Sequence, residues 1–244
     1  MQKIIISGAS SGLGLELTKE LSKKYYIICF SRRYNLLKKN FSRNKNVEYY
    51  RADLSNLEST NSFLIKLKKK HSDIFIVINN AGQMVKCPVH KPNIKMIKNI
   101  YNLNVFSPHL IMKHFIPKMQ KKKFGRIVNI TSGAPLNNYA NYSLYSSTKA
   151  ALNSLTVTAY KENINNNIYI NLLSPGSIKT EMTSHFKAKF LPIDQAIRDV
   201  KKLISIKNKI NGKFVWRGKI IPLIPNLNGV DWAKGSTTRK FKKI

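Results

Sequence analysis

Short runs of apolar residues alternate along the chain with longer segments in which apolar positions recur every three or four residues. Six of the short runs have the length and composition of strands buried on both faces of a parallel sheet: KIIISG, YYIICFS, NVEYY, DIFIVINN, GRIVNIT and IYINLLS. Helical spacing is found between them, as over residues 13–21, 57–67, 103–119 and 150–160. The alternation predicts a doubly wound α/β fold, with a parallel sheet of about seven strands flanked by helices.

The chain shows no internal repeat and no linker rich in Gly, Pro or Ser. We therefore expect a single domain over residues 1–232. The last residues, GSTTRKFKKI, are basic and aperiodic, which predicts a frayed tail over residues 233–244. Ser55 and Glu58 stand at the spacing of a capping box and predict the start of a helix after the third strand.

Composition narrows the class of protein. No run of about 18 apolar residues occurs, so no membrane-spanning helix is expected. The N-terminus enters a strand-like run directly, without the pattern of a signal peptide. The two cysteines, Cys29 and Cys87, lack the spacing of metal ligands, and the five histidines do not supply it either. These features predict a reduced, cytoplasmic protein without a metal site.

The charge balance is unusual, because 43 Lys and Arg residues stand against 11 Asp and Glu, a formal net charge of +32. The lysines are spread along the chain, with local clusters at residues 66–70, 118–123 and 239–243. Two interpretations stay open: solvated helix faces with a loose tail, or attraction of an anionic cofactor, substrate or partner protein. Binding of nucleic acid is not expected, since the charge is not concentrated with stacking aromatic residues.

A glycine-rich turn directly follows the first predicted strand and leads into a helix. Such a turn lets the backbone approach a pyrophosphate, and the helix end offers unpaired N–H groups to it. The pattern predicts a Rossmann-type dinucleotide site, although a plain tight turn would use similar residues. The predicted cofactor contacts here are Gly8, Ser10, Ser11, Gly12, Leu13 and Gly14.

The end of the second strand indicates which dinucleotide is bound. Sites for NAD place an acid about 20 residues beyond the glycines, to bind the ribose 2′-hydroxyl. Here the chain has Ser31, Arg32 and Arg33, with no acid. Arginine pairs with a 2′-phosphate that an acid would repel. The sequence therefore favours NADP(H), with these three residues at the cofactor.

Two further turns at strand ends carry candidate cofactor contacts. Asp53, followed by Leu54, could accept a hydrogen bond from the adenine amine or merely cap the coming helix. Asn80, Ala81 and Gly82 close the fourth strand, where small residues would let the backbone approach the cofactor. A plain turn would use the same residue types.

Tyr145 and Lys149 are four residues apart at the start of a helical segment, so they share one helix face. Bringing a tyrosine pKa from about 10 to about 7 takes roughly 4 kcal/mol. A lysine charge about 4 Å away supplies roughly that energy at an effective dielectric of about 20. Ser132 follows the fifth strand, at the edge where ligands bind, while Thr131 is expected to point the other way.

In this order the motifs resemble those of the classical short-chain dehydrogenase/reductase family, from residue 3 to about residue 180. One departure is Ser7, which replaces the usual threonine before the first glycine and keeps a hydroxyl. The motifs that carry the resemblance are SGASSGLG, Asp53, NNAG at residues 79–82, Asn104, Ser132, Tyr145, Lys149 and Pro175-Gly176.

The resemblance implies a role for each catalytic residue. Tyr145 would pass a proton to the substrate oxygen while hydride arrives from the nicotinamide. Lys149 would lower the tyrosine pKa and bind the nicotinamide ribose. Ser132 would bind the substrate carbonyl, and Asn104 would hold a water that links Lys149 to solvent. The implied cofactor contacts also include Asn104, Tyr145, Lys149, Pro175, Gly176, Ile178 and Thr180.

The predicted function is hydride transfer between NADP(H) and the carbonyl or secondary alcohol of a small molecule. Two alternatives stay open: a non-catalytic NADP-binding sensor, and a protein of the same fold that binds an anionic partner. The resemblance also implies a homodimer or homotetramer with helices near residues 98–120 and 142–162 at the contact. Trp216, Ile220 and Ile221 are expected in a last strand and at a subunit contact.

Substrate selection is expected in two segments, residues 133–142 and 181–192. The second contains Met182, Phe186 and Phe190 among Lys187 and Lys189. It is interpreted either as a mobile lid with a positive rim, suited to an apolar or anionic carbonyl compound, or as an ordinary amphipathic helix.

Overall fold

A computed structural model describes residues 1–184, 189–223, 230–231 and 236–237. Within them the main sheet has the strand order β3-β2-β1-β4-β5-β6-β7-β8, and every neighbouring pair is parallel except β7 with β8. The doubly wound parallel sheet is therefore confirmed, with an antiparallel edge strand. The strands are β1 (Lys3–Ser7), β2 (Tyr26–Ser31), β3 (Val47–Arg51), β4 (Ile74–Asn79), β5 (Gly125–Ile130), β6 (Ile168–Ser174), β7 (Phe214–Trp216) and β8 (Lys219–Ile221).

Helices cover both faces of this sheet. A π-helical turn, Asn102–Phe106, joins two of them, and short 3₁₀ turns lie at Ile164–Asn166 and Glu181–Thr183. The α-helices described are α1 (Gly12–Leu21), α2 (Tyr34–Phe41), α3 (Leu57–Lys70), α4 (Ile94–Tyr101), α5 (Ser107–Lys122), α6 (Ala134–Asn137), α7 (Ser143–Glu162) and α8 (Ile193–Ile204).

The unbroken apolar strands are explained by burial on both faces. Ile4 and Ile6 of β1 pack in one core with α1, α2 and α8, while Ile5 packs in the other core with α3, α5 and α7. Successive side chains of a strand point to opposite faces, so a strand between two cores needs an apolar residue at every position. No helix in the described residues has the length and apolarity needed to cross a membrane.

The candidate site lies where the strand order reverses. From β1 the chain adds β2 and then β3 on one side, and then crosses to β4 on the other. The crevice at the carboxyl ends of β1 and β4 is the usual ligand position in such a sheet.

Two predictions of local structure need comment. Helix α3 begins one residue later than expected, because Asn56 is its N-cap and accepts from the backbone N–H of Ser59 at 2.8 Å. The predicted capping box of Ser55 and Glu58 is wrong, since the Ser55 backbone and hydroxyl both donate to Asp53.

The tail boundary at residue 232 stays a prediction. Of residues 233–244 the structure describes only β10 (Ser236–Thr237), which pairs with β9 (Val230–Asp231), and the rest lies outside the described residues.

A half-buried carboxylate ties the outer strands of the sheet to α3. Glu48 accepts hydrogen bonds from the hydroxyls of Tyr26, at 3.2 Å, and Tyr50, and from the Lys70 ammonium. Burial raises the pKa of Glu48, but the hydrogen bonds from Lys70 and Tyr50 and the charges of His71 and Lys70 together lower it by more, so the pKa lies below its ordinary value. This carboxylate therefore stabilises the fold in its ionised form.

We expect Glu48→Gln to lower the free energy of unfolding by about 1–3 kcal/mol at pH 7, because charged hydrogen bonds to a half-buried group are lost. The wild-type advantage should be full above the ordinary glutamate pKa and vanish as pH falls through the lower folded pKa. Urea unfolding at pH 7 and pH 3 measures it. Glu16→Gln, which breaks an exposed pair with Lys19, is the control and should cost under about 1 kcal/mol. Equal losses in the two variants would contradict the prediction.

Candidate active site

The glycine turn between β1 and α1 has no room for side chains. A Cβ on Gly8, whose φ is +71°, would lie 2.8 Å from the Cα of Ala81. A Cβ on Gly14 would lie 2.3 Å from the carbonyl oxygen of Gly8. Glycine at these positions therefore lets the turn, the start of α1 and the loop after β4 meet closely.

Two polar side chains fix this turn against the end of β4. The Ser7 hydroxyl accepts from the backbone N–H groups of Asn80 and Ala81, each at 3.0 Å. The Asn80 amide donates to the carbonyls of Ser7 and Gly8 at 2.9 and 3.1 Å. The hydroxyl that Ser7 keeps is thus used structurally, and Asn80 acts here by holding the turn.

The N-terminus of α1 is open to an anion. Its N-cap residue, Ser11, makes no side-chain capping bond to the helix, which leaves the N–H groups of the first turn available to a ligand. Leu13 packs into the core behind them. This arrangement suits a pyrophosphate, as the sequence predicted for this turn.

Arg33 lies against the serines of the glycine turn. Its Nε donates to the Ser10 hydroxyl at 3.1 Å, and its Nη2 donates to the Ser11 hydroxyl. The Ser31 hydroxyl donates to Ser10 at 2.9 Å and accepts from the Arg33 backbone N–H at 3.2 Å. One guanidinium and three hydroxyls therefore form a cluster beside the turn, suited to the oxygens of a phosphate monoester.

Arg32 points elsewhere. Its Nε lies 4.0 Å from a carboxylate oxygen of Asp53, whose same oxygen accepts from the backbone and hydroxyl of Ser55 at 3.0 and 2.7 Å. Asp53 therefore closes the turn before α3 but does not cap that helix. The neighbouring Leu54 is buried in the core.

Ser132, Tyr145 and Lys149 come together at the carboxyl end of β5. Helix α7 begins at Ser143, so Tyr145 lies in its first turn and Lys149 one turn later on the same face. Tyr145 is hydrogen-bonded to Ser132, and the Lys149 ammonium lies 5.9 Å from the centre of the tyrosine ring. Thr131 points away, as expected, and donates to the buried side chain of Asn153 at 2.6 Å.

Burial dominates the acid–base properties of this pair. It raises the pKa of Tyr145, and the hydrogen bond with Ser132 lowers it only in part. Burial also lowers the pKa of Lys149 to about 8, while its ammonium donates to the Ile130 carbonyl at 2.9 Å. The direction differs from the expected lowering of the tyrosine pKa by Lys149, because desolvation of the Tyr145 hydroxyl is the larger effect.

Asn104 lies in the π-helical turn between α4 and α5, a kind of irregularity that often marks a functional site. Its amide donates to the Gln83 carbonyl at 2.9 Å and to the Thr148 hydroxyl at 3.0 Å, and its oxygen accepts from the Gln83 backbone. A Cβ on Gly82 would lie 3.3 Å from this oxygen and 3.5 Å from the Lys149 ammonium. Gly82 thus leaves open the space that faces both groups.

The loop after β6 lies across the glycine turn. The Cγ2 of Thr180 would be 3.1 Å from a Cβ on Gly12, and Ile178 is buried and bridges to Leu191. Gly176 has a φ of +74° and packs under Leu191. This loop, which begins with Pro175, therefore packs against the start of α1.

Sequence reasoning missed several residues of the site. Glu181, directly after Thr180, pairs with Arg33 at 2.5 Å, and its only sequence signal was that acids are rare in this chain. Thr148 and Asn153, which bind Asn104 and Thr131, belong to α7 and had no motif of their own. In the second substrate segment, Phe186 and Lys187 lie outside the described residues, so the choice between a lid and a helix stays open.

Known proteins are similar to this chain in sequence. The sequence model of the short chain dehydrogenase family matches residues 2–190. An NADP-dependent 3-hydroxy acid dehydrogenase of Schizosaccharomyces pombe is 31% identical over 189 residues, which cover 74% of this chain and 73% of that protein. A benzil reductase, forming (S)-benzoin, from Bacillus cereus is 28% identical over 222 residues, covering 84% of this chain and 89% of that protein.

Solved structures agree with these sequence matches. A 4-hydroxyisoleucine dehydrogenase complexed with NADH superposes with a TM-score of 0.83 at 27% identity, over 88% of this chain and 96% of that one. ElxO with NADP bound superposes with a TM-score of 0.79 at 26% identity, over 89% of this chain and 97% of that one. The chain belongs to the short-chain dehydrogenase/reductase family of oxidoreductases.

Proposed function

We propose that this oxidoreductase uses NADP(H) to interconvert a carbonyl group and a secondary alcohol of a small molecule. The observation that carries the proposal is the meeting of Ser132, Tyr145 and Lys149 beside the open space at Gly82. A proton donor, an orienting hydroxyl and a cation there can stabilise charge that develops on a substrate oxygen.

The residues around the crevice fit a dinucleotide. The turn of Gly8, Gly12 and Gly14 with the N-terminus of α1 would hold the pyrophosphate, and the Ser10, Ser31 and Arg33 cluster would hold a 2′-phosphate. When bound, the nicotinamide supplies hydride to a carbonyl carbon or takes it from an alcohol. We assign the remaining cofactor contacts to the strand ends and loops predicted above: Leu13, Ser11, Arg32, Asp53, Leu54, Asn80, Ala81, Gly82, Pro175, Gly176, Ile178 and Thr180.

Each catalytic residue has one task in this mechanism. Tyr145 donates its hydroxyl proton to the substrate oxygen in reduction, and its raised pKa keeps that proton in place at neutral pH. Ser132 orients the substrate oxygen towards Tyr145. Lys149 supplies a positive charge that stabilises the tyrosinate left behind, and Asn104 holds the loop of Gln83 that borders this space.

The preference for NADP(H) rests on Arg33. Relatives differ in this respect, since the S. pombe enzyme is named as NADP-dependent and the 4-hydroxyisoleucine dehydrogenase structure contains NADH. In this chain the Arg33 guanidinium lies on the serine cluster, whereas Arg32 faces Asp53. This difference supports Arg33 as the main partner of the 2′-phosphate.

Arg33→Ala is expected to weaken NADPH binding about 10- to 100-fold, the range of a charged hydrogen-bonding pair, and to leave NADH binding nearly unchanged. Titration of each nucleotide into the protein, followed by nicotinamide fluorescence, measures both. Arg32→Ala is the matched control, and we expect a smaller loss from it. Wild-type preference for NADH, together with no effect of Arg33→Ala, would contradict the assignment to NADP(H).

The surroundings of Tyr145 support a substrate with an apolar group next to the carbonyl. Ile100, Ala134 and Leu144 form a buried cluster with Tyr145. Partly buried apolar side chains pack against it: Met84, Val85, Tyr101 and Tyr142. Aldehydes and ketones with aliphatic or aromatic substituents are therefore the compounds to screen with NADPH.

We further propose a cytoplasmic homodimer or homotetramer. The α4–α5 face carries Ile97 and Phe106, large apolar side chains that are 41% and 45% exposed and that a second subunit would cover. Both cysteines are free, with Cys29 buried, which is typical of a reducing compartment.

A further inference from the structure

An ion pair joins the segment after β2 to the loop after β6. Arg33, at the end of β2, donates from Nη1 to a carboxylate oxygen of Glu181 at 2.5 Å. Glu181 follows Thr180 in the loop after β6, 148 residues along the chain. The same guanidinium binds Ser10 and Ser11, so a carboxylate of the protein already occupies one edge of the group assigned to the 2′-phosphate.

The position of Glu181 is fixed by its short helical turn. The Thr180 backbone N–H donates to the Thr183 hydroxyl at 3.0 Å, and that hydroxyl donates to the Ile178 carbonyl at 2.6 Å. Thr180 and Thr183 form a reciprocal capping box around the turn that starts at Glu181. This bonding directs the Glu181 side chain from the loop towards Arg33.

Both adjacent arginines at the end of β2 face an acid. Arg32 lies 4.0 Å from Asp53, and Arg33 lies 2.5 Å from Glu181. The chain has only 11 acids against 43 basic residues. Asp53 is also held by hydrogen bonds from Ser55. Among the described residues, the ion pair that Glu181 makes is the one with Arg33.

We propose that Glu181 is a specificity-determining residue that competes with the 2′-phosphate of NADP(H) for Arg33. This inference rests on the proposed use of NADP(H). A carboxylate and a phosphate are recognised by the same N–H edge of a guanidinium, so occupation by one excludes the other or places two anions side by side. Because NADH has no 2′-phosphate, Glu181 weakens NADPH binding selectively and sets the ratio of the two affinities.

The test is Glu181→Gln, which keeps the size of the side chain and removes its charge. We expect NADPH to bind about two- to fivefold more tightly, the range for loss of an exposed ion pair, with NADH binding unchanged. Fluorescence titrations of both nucleotides are compared at low and physiological salt. Glu162→Gln, at the far end of α7, removes one exposed carboxylate away from the crevice and is the control for net charge.

The double variant Arg33→Ala/Glu181→Gln separates competition from other effects. On the Arg33→Ala background, Glu181→Gln should no longer change NADPH affinity. Equal tightening of NADH and NADPH, no tightening of NADPH, or tightening that persists without Arg33 would overturn the proposal. Circular dichroism and the NADH affinity check that each variant is folded. If the wild-type protein prefers NADH and Arg33→Ala changes neither affinity, the proposed use of NADP(H) is wrong. The proposed competition is then wrong as well.

Discussion

Tyr145→Phe is expected to lower kcat/KM for carbonyl reduction about 1,000-fold, with NADPH affinity and the free energy of unfolding nearly unchanged. Removing the hydroxyl removes the proposed proton donor at the substrate oxygen, and general acid catalysis accounts for about 10²- to 10⁴-fold in rate. The ring would still fill its place among Ile100, Ala134 and Leu144. Steady-state rates with NADPH and a reactive ketone, together with a nucleotide titration, measure the two effects separately.

The pH profile adds a second readout for this residue. Burial raises the pKa of Tyr145, so the neutral form that reduction needs persists through neutral pH. The Lys149 pKa of about 8 means that its positive charge is lost as pH rises through that value. We therefore expect kcat/KM for reduction to be flat below about pH 8 and to fall above it. Alcohol oxidation should instead gain from alkaline pH, because it needs the tyrosinate.

A matched control lies on the same helix. Tyr160→Phe removes a hydroxyl four turns further along α7, where the ring packs against Gly212. It should retain nearly full activity. If Tyr145→Phe kept more than about a tenth of the wild-type rate, Tyr145 would not be the proton donor, and the proposed mechanism would be wrong.

Lys149→Met is expected to lower kcat/KM about 100- to 1,000-fold and yet to stabilise the fold by about 1–2 kcal/mol at pH 7. Lys149 is 5% exposed, and burial lowers its pKa from 10.5 to about 8. Holding its charge inside the folded protein therefore costs roughly 3 kcal/mol at neutral pH. Removing this cost stabilises the variant, but the lost hydrogen bond to the Ile130 carbonyl offsets about 1–2 kcal/mol of the gain.

The pH dependence fixes the sign of this effect. Between about pH 8 and 10.5 the unfolded chain binds the lysine proton and the folded protein does not, so wild-type stability rises with pH in that window. The advantage of Lys149→Met should be full below pH 8 and shrink as pH rises to 10.5. Urea unfolding at pH 7 and pH 10 measures it, with the exposed Lys161→Met as control. A variant that is both inactive and less stable at pH 7 would show that Lys149 is needed for packing.

A Lys149→Met variant with lower activity and higher stability would show that Lys149 serves catalysis and not the stability of the fold. Catalytic groups held in an unfavourable environment commonly lower the stability of the fold that carries them. The neutral side chains beside Lys149 are held by hydrogen bonds, since Thr131 donates to Asn153 and Asn104 donates to Thr148.

Much of the site could be predicted because its residues follow strands. The apolar runs of β1, β4 and β5 were evident from sequence, and the carboxyl ends of parallel strands meet at one edge of a sheet. The glycine turn and Asn80 meet at this edge through hydrogen bonds, and Ser132 meets Tyr145 at the end of β5. Tyr145 and Lys149 needed only helical spacing.

Other features depended on contacts that local sequence does not encode. Ser55 and Asn56 are both good N-cap residues. Because Ser55 is hydrogen-bonded to Asp53, Asn56 caps α3. The spacing of Tyr145 and Lys149 predicted a lowered tyrosine pKa, because it counted only the lysine charge. In the structure burial raises the pKa of Tyr145.

The sequence by itself determined the fold class, the position of the glycine turn and the set of candidate catalytic residues, because strand and helix periodicities are local and these residues stand at strand ends and helix starts. Only the tertiary structure distinguished Arg33 from Arg32 and brought Glu181 to it across 148 residues. Adjacent residues at a strand end point in different directions, and the partner of each is chosen by distant segments that fold onto the same edge of the sheet.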